Sequence, residues 1–225
     1  MSPRRRTASC VAAVVLLAIV GAAWSQTRVN GTVGSCAQVA PADLVAEARA
    51  GLAWFPVEVG RGSVGADGSF ALTFHESPYL PDDVTVPLQN LFAGQRCEDL
   101  VVSDPEARVV LVRELRIVPR GAACEYCETL GTLYAATKEH GSLATTGDVE
   151  VRWIHAERPA TVTGRCTFGW GQESYEIELA AGWNTVVFET VGVAESIGYC
   201  DCRDVHVSVQ PFPRAQVAWH FVPAR

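Results

Sequence analysis

Apolar and polar residues alternate with a period of two along most of the chain. In residues 69–74, Phe70, Leu72 and Phe74 are separated by small or polar residues. Successive side chains of a β-strand point to opposite faces, so this alternation predicts a strand with one buried face. The same alternation predicts five further strands, within residues 149–153, 160–168, 175–179, 205–209 and 217–221.

Other short patterns predict central strands and turns. Residues 109–112 and 186–188 are apolar without interruption, which is typical of strands covered on both faces. Asp67-Gly68 supplies the positive φ angles of a tight hairpin, and residues 181–184 predict a second turn.

Two segments are ambiguous between helix and strand. Residues 43–50 are alanine-rich and suit a short helix, although an all-β domain favours a strand there. Residues 133–138 fit either structure. The first segment is interpreted as a strand, and the second is left open.

Short turns between strands, without regular helical segments, predict an all-β fold built from antiparallel sheets. Residues 119–131 break the alternation and concentrate turn formers, so they are interpreted as a cysteine-containing linker. We therefore expect two antiparallel β-sandwich-like halves, residues 26–118 and 132–225. Both follow a cleaved leader.

The leader is predicted at residues 1–25. Three arginines at positions 4–6 precede an apolar run, residues 11–20, and a small-x-small cleavage site at residues 23–25. This order is typical of a secretory signal peptide. Because the apolar run is short and no later segment is long enough to span a bilayer, we expect a mature chain without a transmembrane segment. The predicted location is the periplasm, cell surface or extracellular space.

Charge narrows the choice of partners. The formal net charge is −7, and removing a leader with three arginines and no acidic residue makes it −10. An acidic surface repels nucleic-acid backbones, so no nucleic-acid partner is expected. A protein or carbohydrate partner at the cell surface remains.

Seven cysteines remain after the leader and are candidates for disulfides in an oxidising compartment: Cys36, Cys97, Cys124, Cys127, Cys166, Cys200 and Cys202. Cys36 and Cys97 are the only two in the predicted N-terminal half, so parsimony pairs them.

The other five cysteines leave several arrangements open. Cys166 is expected to meet Cys200 or Cys202, whereas Cys124 and Cys127 bridge locally or to the 200–202 loop. A four-thiolate zinc site and a redox Cys-x-x-Cys are alternatives, but export disfavours zinc thiolates and an all-β chain lacks the redox scaffold.

The sequence contains no recognisable catalytic constellation. Neither Gly-x-Ser-x-Gly nor His-Glu-x-x-His occurs, and His75-Glu76-Ser77 reads as a solvated loop. Three histidines, His155, His206 and His220, lie at or near the polar phase of predicted strands. We therefore expect no catalytic residue, no metal and no cofactor.

Trp170 is the candidate ligand-binding residue. It lies between two glycines in Phe168-Gly-Trp-Gly-Gln172, which places the indole near a hairpin tip. An exposed indole there can stack on a sugar or a partner, whereas the alternative is that it folds back as a lid on the core. Four further tryptophans are predicted in the core or at its edge: Trp54, Trp153, Trp183 and Trp219.

Two sequence motifs carry a resemblance. With Val29-Asn-Gly-Thr-Val33 and Asp67-Gly-Ser-Phe-Ala-Leu72, the N-terminal half resembles the carboxypeptidase-regulatory-like, transthyretin-like β-sandwich modules of exported bacterial proteins. The C-terminal half, with Trp153 and the segment 178–186, looks like the second half of uncharacterised exported bacterial β proteins. The resemblance implies a fold and a location, and no catalytic residue.

We expect an exported, non-enzymatic structural or interaction protein of the cell envelope or extracellular space. The alternative is a carbohydrate- or ligand-binding module that uses exposed aromatic residues such as Trp170, and the third candidate is an exported hydrolase. A binding module should present an aromatic patch or a concave groove, and a hydrolase should cluster acids and histidines in a pocket. A purely structural module should show neither.

Overall fold

A computed structural model describes the chain in ten segments, residues 28–33, 41–48, 56–76, 78, 80–121, 129–139, 141–168, 171–193, 203–213 and 216–224. The described residues are almost entirely β, as the sequence predicts. They form fifteen strands and one short 3-10 helix, Leu88–Phe92.

The strands are β1 Arg28–Thr32, β2 Ala42–Ala48, β3 Val57–Val64, β4 Ser69–Phe74, β5 Val86–Pro87, β6 Arg96–Val102, β7 Arg108–Val112, β8 Leu115–Pro119, β9 Gly131–Ala136, β10 Val149–Ala156, β11 Ala160–Phe168, β12 Gly171–Leu179, β13 Gly182–Val193, β14 Arg203–Val209 and β15 Ala218–Pro223.

The first part of the sheet is antiparallel, in the order β1-β4-β3-β2-β8-β9, with β15 also paired to β9. The predicted hairpin joins β3 and β4, where Gly60 lies opposite Phe74 and Val64 opposite Phe70. Gly68 in its turn has a φ of 76°, and a Cβ there would lie 2.3 Å from the Val33 carbonyl oxygen. Glycine is therefore required both by the backbone angle and by the close approach of β1.

The second part continues in the order β9-β10-β13-β14-β12-β11-β6. The turn before β13 lies at residues 180–181, whereas residues 182–184 of the predicted turn belong to β13; Gly182 has a φ of 95°. This turn joins two strands that are not neighbours, because β14 lies between β12 and β13. β12 and β14 are parallel, whereas the sequence predicts antiparallel pairing throughout.

Two hydrophobic cores share the strands β7, β10 and β13. On β10, Val151 and Trp153 pack in the first core, and the adjacent Ile154 packs in the second. On β13, Val187 faces the first core and Val186 the second. Residues 109–112 of β7 divide in the same way, which confirms the prediction that uninterrupted apolar runs mark strands covered on both faces.

The predicted division into two sandwich-like halves is not confirmed. β6 and β7 belong to the predicted N-terminal half, yet β6 pairs with β11 and β7 with β10. Both cores also draw residues from both halves. Local alternation identifies a strand and its buried face, but it carries no information about which distant strand completes the ladder.

Both ambiguous segments are largely strand within the described residues. β2 covers most of residues 43–50 and confirms the interpretation as a strand; residues 49–50 lie outside the described ranges. Most side chains of β2 are buried, so its alanines allow close packing rather than helix formation. In the second segment β9 covers residues 133–136, of which Leu133 and Ala135 reach the first core, and residues 137–138 follow the end of the strand.

One disulfide links Cys97 of β6 to Cys166 of β11. The two residues are directly opposite in the antiparallel register. The predictions that Cys97 bonds Cys36 and that Cys166 bonds Cys200 or Cys202 are therefore wrong, because β6 pairs with a strand of the other predicted half. The other five candidates, Cys36, Cys124, Cys127, Cys200 and Cys202, lie outside the described residues.

The predicted signal peptide, residues 1–25, also lies outside the described residues. Within the described ranges, no helix has the length and apolar character needed to cross a bilayer. Export and cleavage of the leader stay predictions.

Candidate functional site

A wide cleft of about 1320 Å³, lined by both charged and apolar residues, lies on the sheet where its first part, β1 to β9, meets its second part, β9 to β6. One side is lined by residues of β10, β12, β13 and β14, and another by residues of β2, β8 and β9. The connection between β9 and β10 also lines the cleft, and its Leu143 is 82% exposed. The cleft is the concave groove that the binding-module hypothesis requires.

The alternation of β10 turns its charged side chains into the cleft. Val149 and Val151 point into the first core, so Glu150 and Arg152 between them point to the opposite face. Further along that face, Ile154 is buried in the second core. The same face of β10 is thus covered at one end and open at the other, and the cleft lies over its open end.

Several charged side chains of the cleft form ion pairs. Arg116 bonds Glu47 and also donates from Nε to Thr129 Oγ1 at 2.9 Å. The Arg152 Nε–H donates to Glu150 Oε1 at 2.7 Å.

A second set of polar contacts organises the connection between β9 and β10, residues 137–148, which lines the cleft and is called the rim segment. Lys138 Nζ lies 3.1 Å from Asp148 Oδ2 and donates to Thr145 Oγ1 at 2.6 Å. The backbone N–H of Thr145 donates to Asp148 Oδ2 at 2.6 Å. These contacts tie Lys138 and Asp148, at the two ends of the segment, to each other.

Arg113 and Arg203 line the same cleft without such partners. Within the described residues, neither guanidinium has a hydrogen bond or an ion pair in the structure. Arg113 is open to solvent, yet protein surrounds its guanidinium on several sides, and this partial desolvation lowers its pKa. Repulsion from Arg152 lowers the pKa further. An arginine remains charged at neutral pH despite such a shift.

Glu173 and Tyr175 form a hydrogen-bonded pair on β12. The Tyr175 hydroxyl donates to Glu173 Oε2, and its ring packs edge-on against Phe92 with centroids 5.0 Å apart. Burial raises the pKa of Tyr175 strongly, and the bond to Glu173 raises it further. Tyr175 is therefore a fixed hydrogen-bond donor at physiological pH.

The described histidines lie away from the cleft. His75 is exposed, with Nε2 3.8 Å from Glu58 Oε1, and Ser77 of the same cluster lies outside the described residues. His155 packs edge-on against Trp183 at 5.1 Å, and burial lowers its pKa. His206 Nδ1 lies 3.3 Å from Ser174 Oγ, and His220 stacks on a tyrosine at 5.2 Å. Each of these four histidines contacts other groups of the protein rather than the cleft.

Three of the five predicted tryptophan positions can be compared with the structure. Trp153 is fully buried, and Trp183 and Trp219 pack against the first core, which confirms these three predictions. Trp170 and Trp54 lie outside the described residues. The aromatic side chain that lines the cleft in the described residues is Phe188, and the Arg152 guanidinium lies over its ring at 4.1 Å.

Sequence reasoning missed the cleft residues because their signal is ambiguous. In the sequence, Glu150 and Arg152 are simply the polar positions of the alternating strand predicted within residues 149–153, and Arg113 follows an apolar run without any motif. Charges on a strand face look alike in sequence whether they meet bulk water or a concave surface. Only the curvature of the assembled sheet separates the two cases.

Comparisons with known proteins give no relative. No family model, curated protein or solved structure matches the chain. The resemblance to transthyretin-like modules therefore stays a prediction. Within the described ranges, no three side chains among His, Cys, Asp and Glu are grouped so as to hold a metal ion. Fold and site thus define an all-β protein with a charged, concave cleft.

Proposed function

We propose that the protein is an exported, non-enzymatic binding module and that the cleft holds a hydroxyl-rich ligand of the carbohydrate class. The observation that supports this proposal most directly is the cleft itself, with a volume of about 1320 Å³. That volume exceeds the roughly 300–1000 Å³ of typical small-molecule sites, so the cleft has room for a short oligomer.

The lining favours hydroxyl groups over an apolar protein surface. Guanidinium groups only donate hydrogen bonds and carboxylates only accept them, whereas a sugar hydroxyl does both. Arg152 beside Glu150, and Arg116 beside Glu47, therefore present donors and acceptors side by side. Protein interfaces deplete carboxylates such as those of Glu150 and Glu173 at their centres, which makes an apolar protein partner a poorer fit.

Binding should be measured with the mature protein on an array of oligosaccharides, followed by calorimetry on each hit. Thr132 lines the cleft on β9, and Thr132→Tyr should weaken binding by placing a ring in part of the space that the ligand would occupy. Thr163→Tyr, at an exposed position of β11 that does not line the cleft, is the matched control. Both variants should retain the circular dichroism spectrum of the wild type.

A third variant, Trp170→Ala, separates the cleft from the predicted aromatic tip. We expect it to retain most of the affinity. Loss of binding in Trp170→Ala with none in Thr132→Tyr would move the site to the tip and contradict the cleft proposal. The absence of any sugar ligand would contradict the carbohydrate class, and release of reducing ends from a bound sugar would favour a hydrolase.

A further inference from the structure

The hydrogen bonds and ion pairs of the described cleft residues leave guanidinium N–H donors unused at one place. Glu150 is bonded to Arg152, and Glu173 is bonded to Tyr175. Arg113, by contrast, has no hydrogen bond or ion pair among the described residues. Like Arg203, Arg113 therefore keeps its N–H donors unused within the described residues, while the carboxylates of Glu150, Glu173 and Glu114 attract it only through space.

The strand register brings Arg113 close to Arg152. Arg113 directly follows Val112, and Arg152 directly precedes Trp153, the residue opposite Val112 in the antiparallel pair of β7 and β10. The next position of that register places the two arginines side by side. Their mutual repulsion is unfavourable in the absence of a ligand, and an anion between them would remove it.

Arg152 is also held in place for binding. Its Nε–H is used by Glu150, and the planar guanidinium lies over the Phe188 ring at 4.1 Å. Its terminal nitrogens make no hydrogen bond within the described part of the chain. Because the group is already positioned, less side-chain entropy is lost when a ligand binds.

We propose that Arg113 and Arg152 together bind one oxyanion of the ligand, a carboxylate, sulfate or phosphate, so that the cleft selects acidic sugars over neutral ones. This inference rests on the proposed carbohydrate function. Guanidinium groups donate paired hydrogen bonds that match the geometry of such oxyanions. The formal net charge of −7, together with Glu114, Glu139 and Glu173 in the lining, disfavours a polyanion, so the acidic groups of the ligand should be sparse.

The test compares three oligosaccharides of equal length by calorimetry: one carboxylated, one sulfated and one neutral. We expect the wild type to bind at least one acidic sugar about tenfold or more tightly than the neutral sugar, as expected for hydrogen bonds to a charged group. Arg113→Gln should reduce that affinity by about ten- to a hundred-fold and reduce the affinity for the neutral sugar much less. Arg113 is chosen because its replacement breaks no ion pair of the described residues.

Controls separate this inference from the function on which it rests. Arg165→Gln, at an exposed position of β11 outside the cleft, should change neither affinity, and Arg113→Lys should keep part of the preference. Equal binding of acidic and neutral sugars, or an equal loss of both in Arg113→Gln, would overturn the oxyanion site while leaving the carbohydrate function intact. No binding of any sugar would overturn both.

Discussion

Removing the disulfide between Cys97 and Cys166 should destabilise the whole described fold rather than one half of it. The bond closes a loop over a sequence separation of 69 residues. In the chain-entropy treatment a loop of this length restricts the unfolded chain by about 4 kcal/mol at 25 °C. Cys97 lies on β6, which pairs only with β11 among the described strands, so the bond also anchors a sheet edge.

Two double variants separate the cross-link from the packing. Cys166 is fully buried, and Cys97 packs against the same core. Replacing both cysteines by alanine removes the cross-link and leaves a small cavity, whereas replacing both by valine restores apolar volume with a side chain suited to strands. We expect the valine pair to lose about 3 to 4 kcal/mol of unfolding free energy, and the alanine pair about 1 kcal/mol more.

The measurement is urea unfolding of the mature protein, followed by tryptophan fluorescence and by far-UV circular dichroism. The two signals should change together in the wild type, because the two cores share β7, β10 and β13. A valine pair within about 1 kcal/mol of the wild type would refute the reasoning. Two separate transitions would instead favour independently folded halves.

Peptide mapping without reduction checks the pairing itself. Trypsin cleaves after Arg96 and Arg165, so Cys97 and Cys166 each begin a peptide. A second cleavage at Glu173 separates Cys166 from the cysteines at 200 and 202. We expect a linked pair that contains Cys97 and Cys166, and a peptide that links Cys97 to Cys36 would contradict the structure.

Two further predictions concern buried polar groups. The buried carboxamide of Asn184 accepts a hydrogen bond from the Ala180 N–H and donates to the Ala180 and Gly182 carbonyls, each at 2.9 Å. Asn184→Ala should therefore lower the unfolding free energy by about 2 to 4 kcal/mol. A loss below about 1 kcal/mol in urea unfolding would contradict this prediction. Because the folded-state pKa of Tyr175 is raised above its ordinary value of 10.0, its contribution to stability is complete below pH 10 and is lost as the pH rises beyond it. Urea midpoints between about pH 9 and 11 should fall less steeply in Tyr175→Phe than in the wild type, and equal slopes would refute the assignment.

The all-β class and much of the strand placement follow from the sequence alone. Burial of one strand face produces the period of two at Phe70, Leu72 and Phe74, and burial of both faces produces the apolar run at 109–112. The hairpin at Gly68 follows in the same way, because a positive φ strongly favours glycine. These signals lie within a few residues of one another, so the sequence displays them directly.

Only the tertiary structure decided which strands pair with each other and where the cleft forms. The partner of Cys97 is Cys166 because β6 pairs with β11, and backbone hydrogen bonds between strands are nearly independent of side-chain identity. The same holds for Arg113 and Arg152, which are neighbours only through the pairing of β7 with β10. Alternation records which face of a strand is buried. Which strands meet depends on contacts between residues far apart in the chain, and no local pattern encodes them.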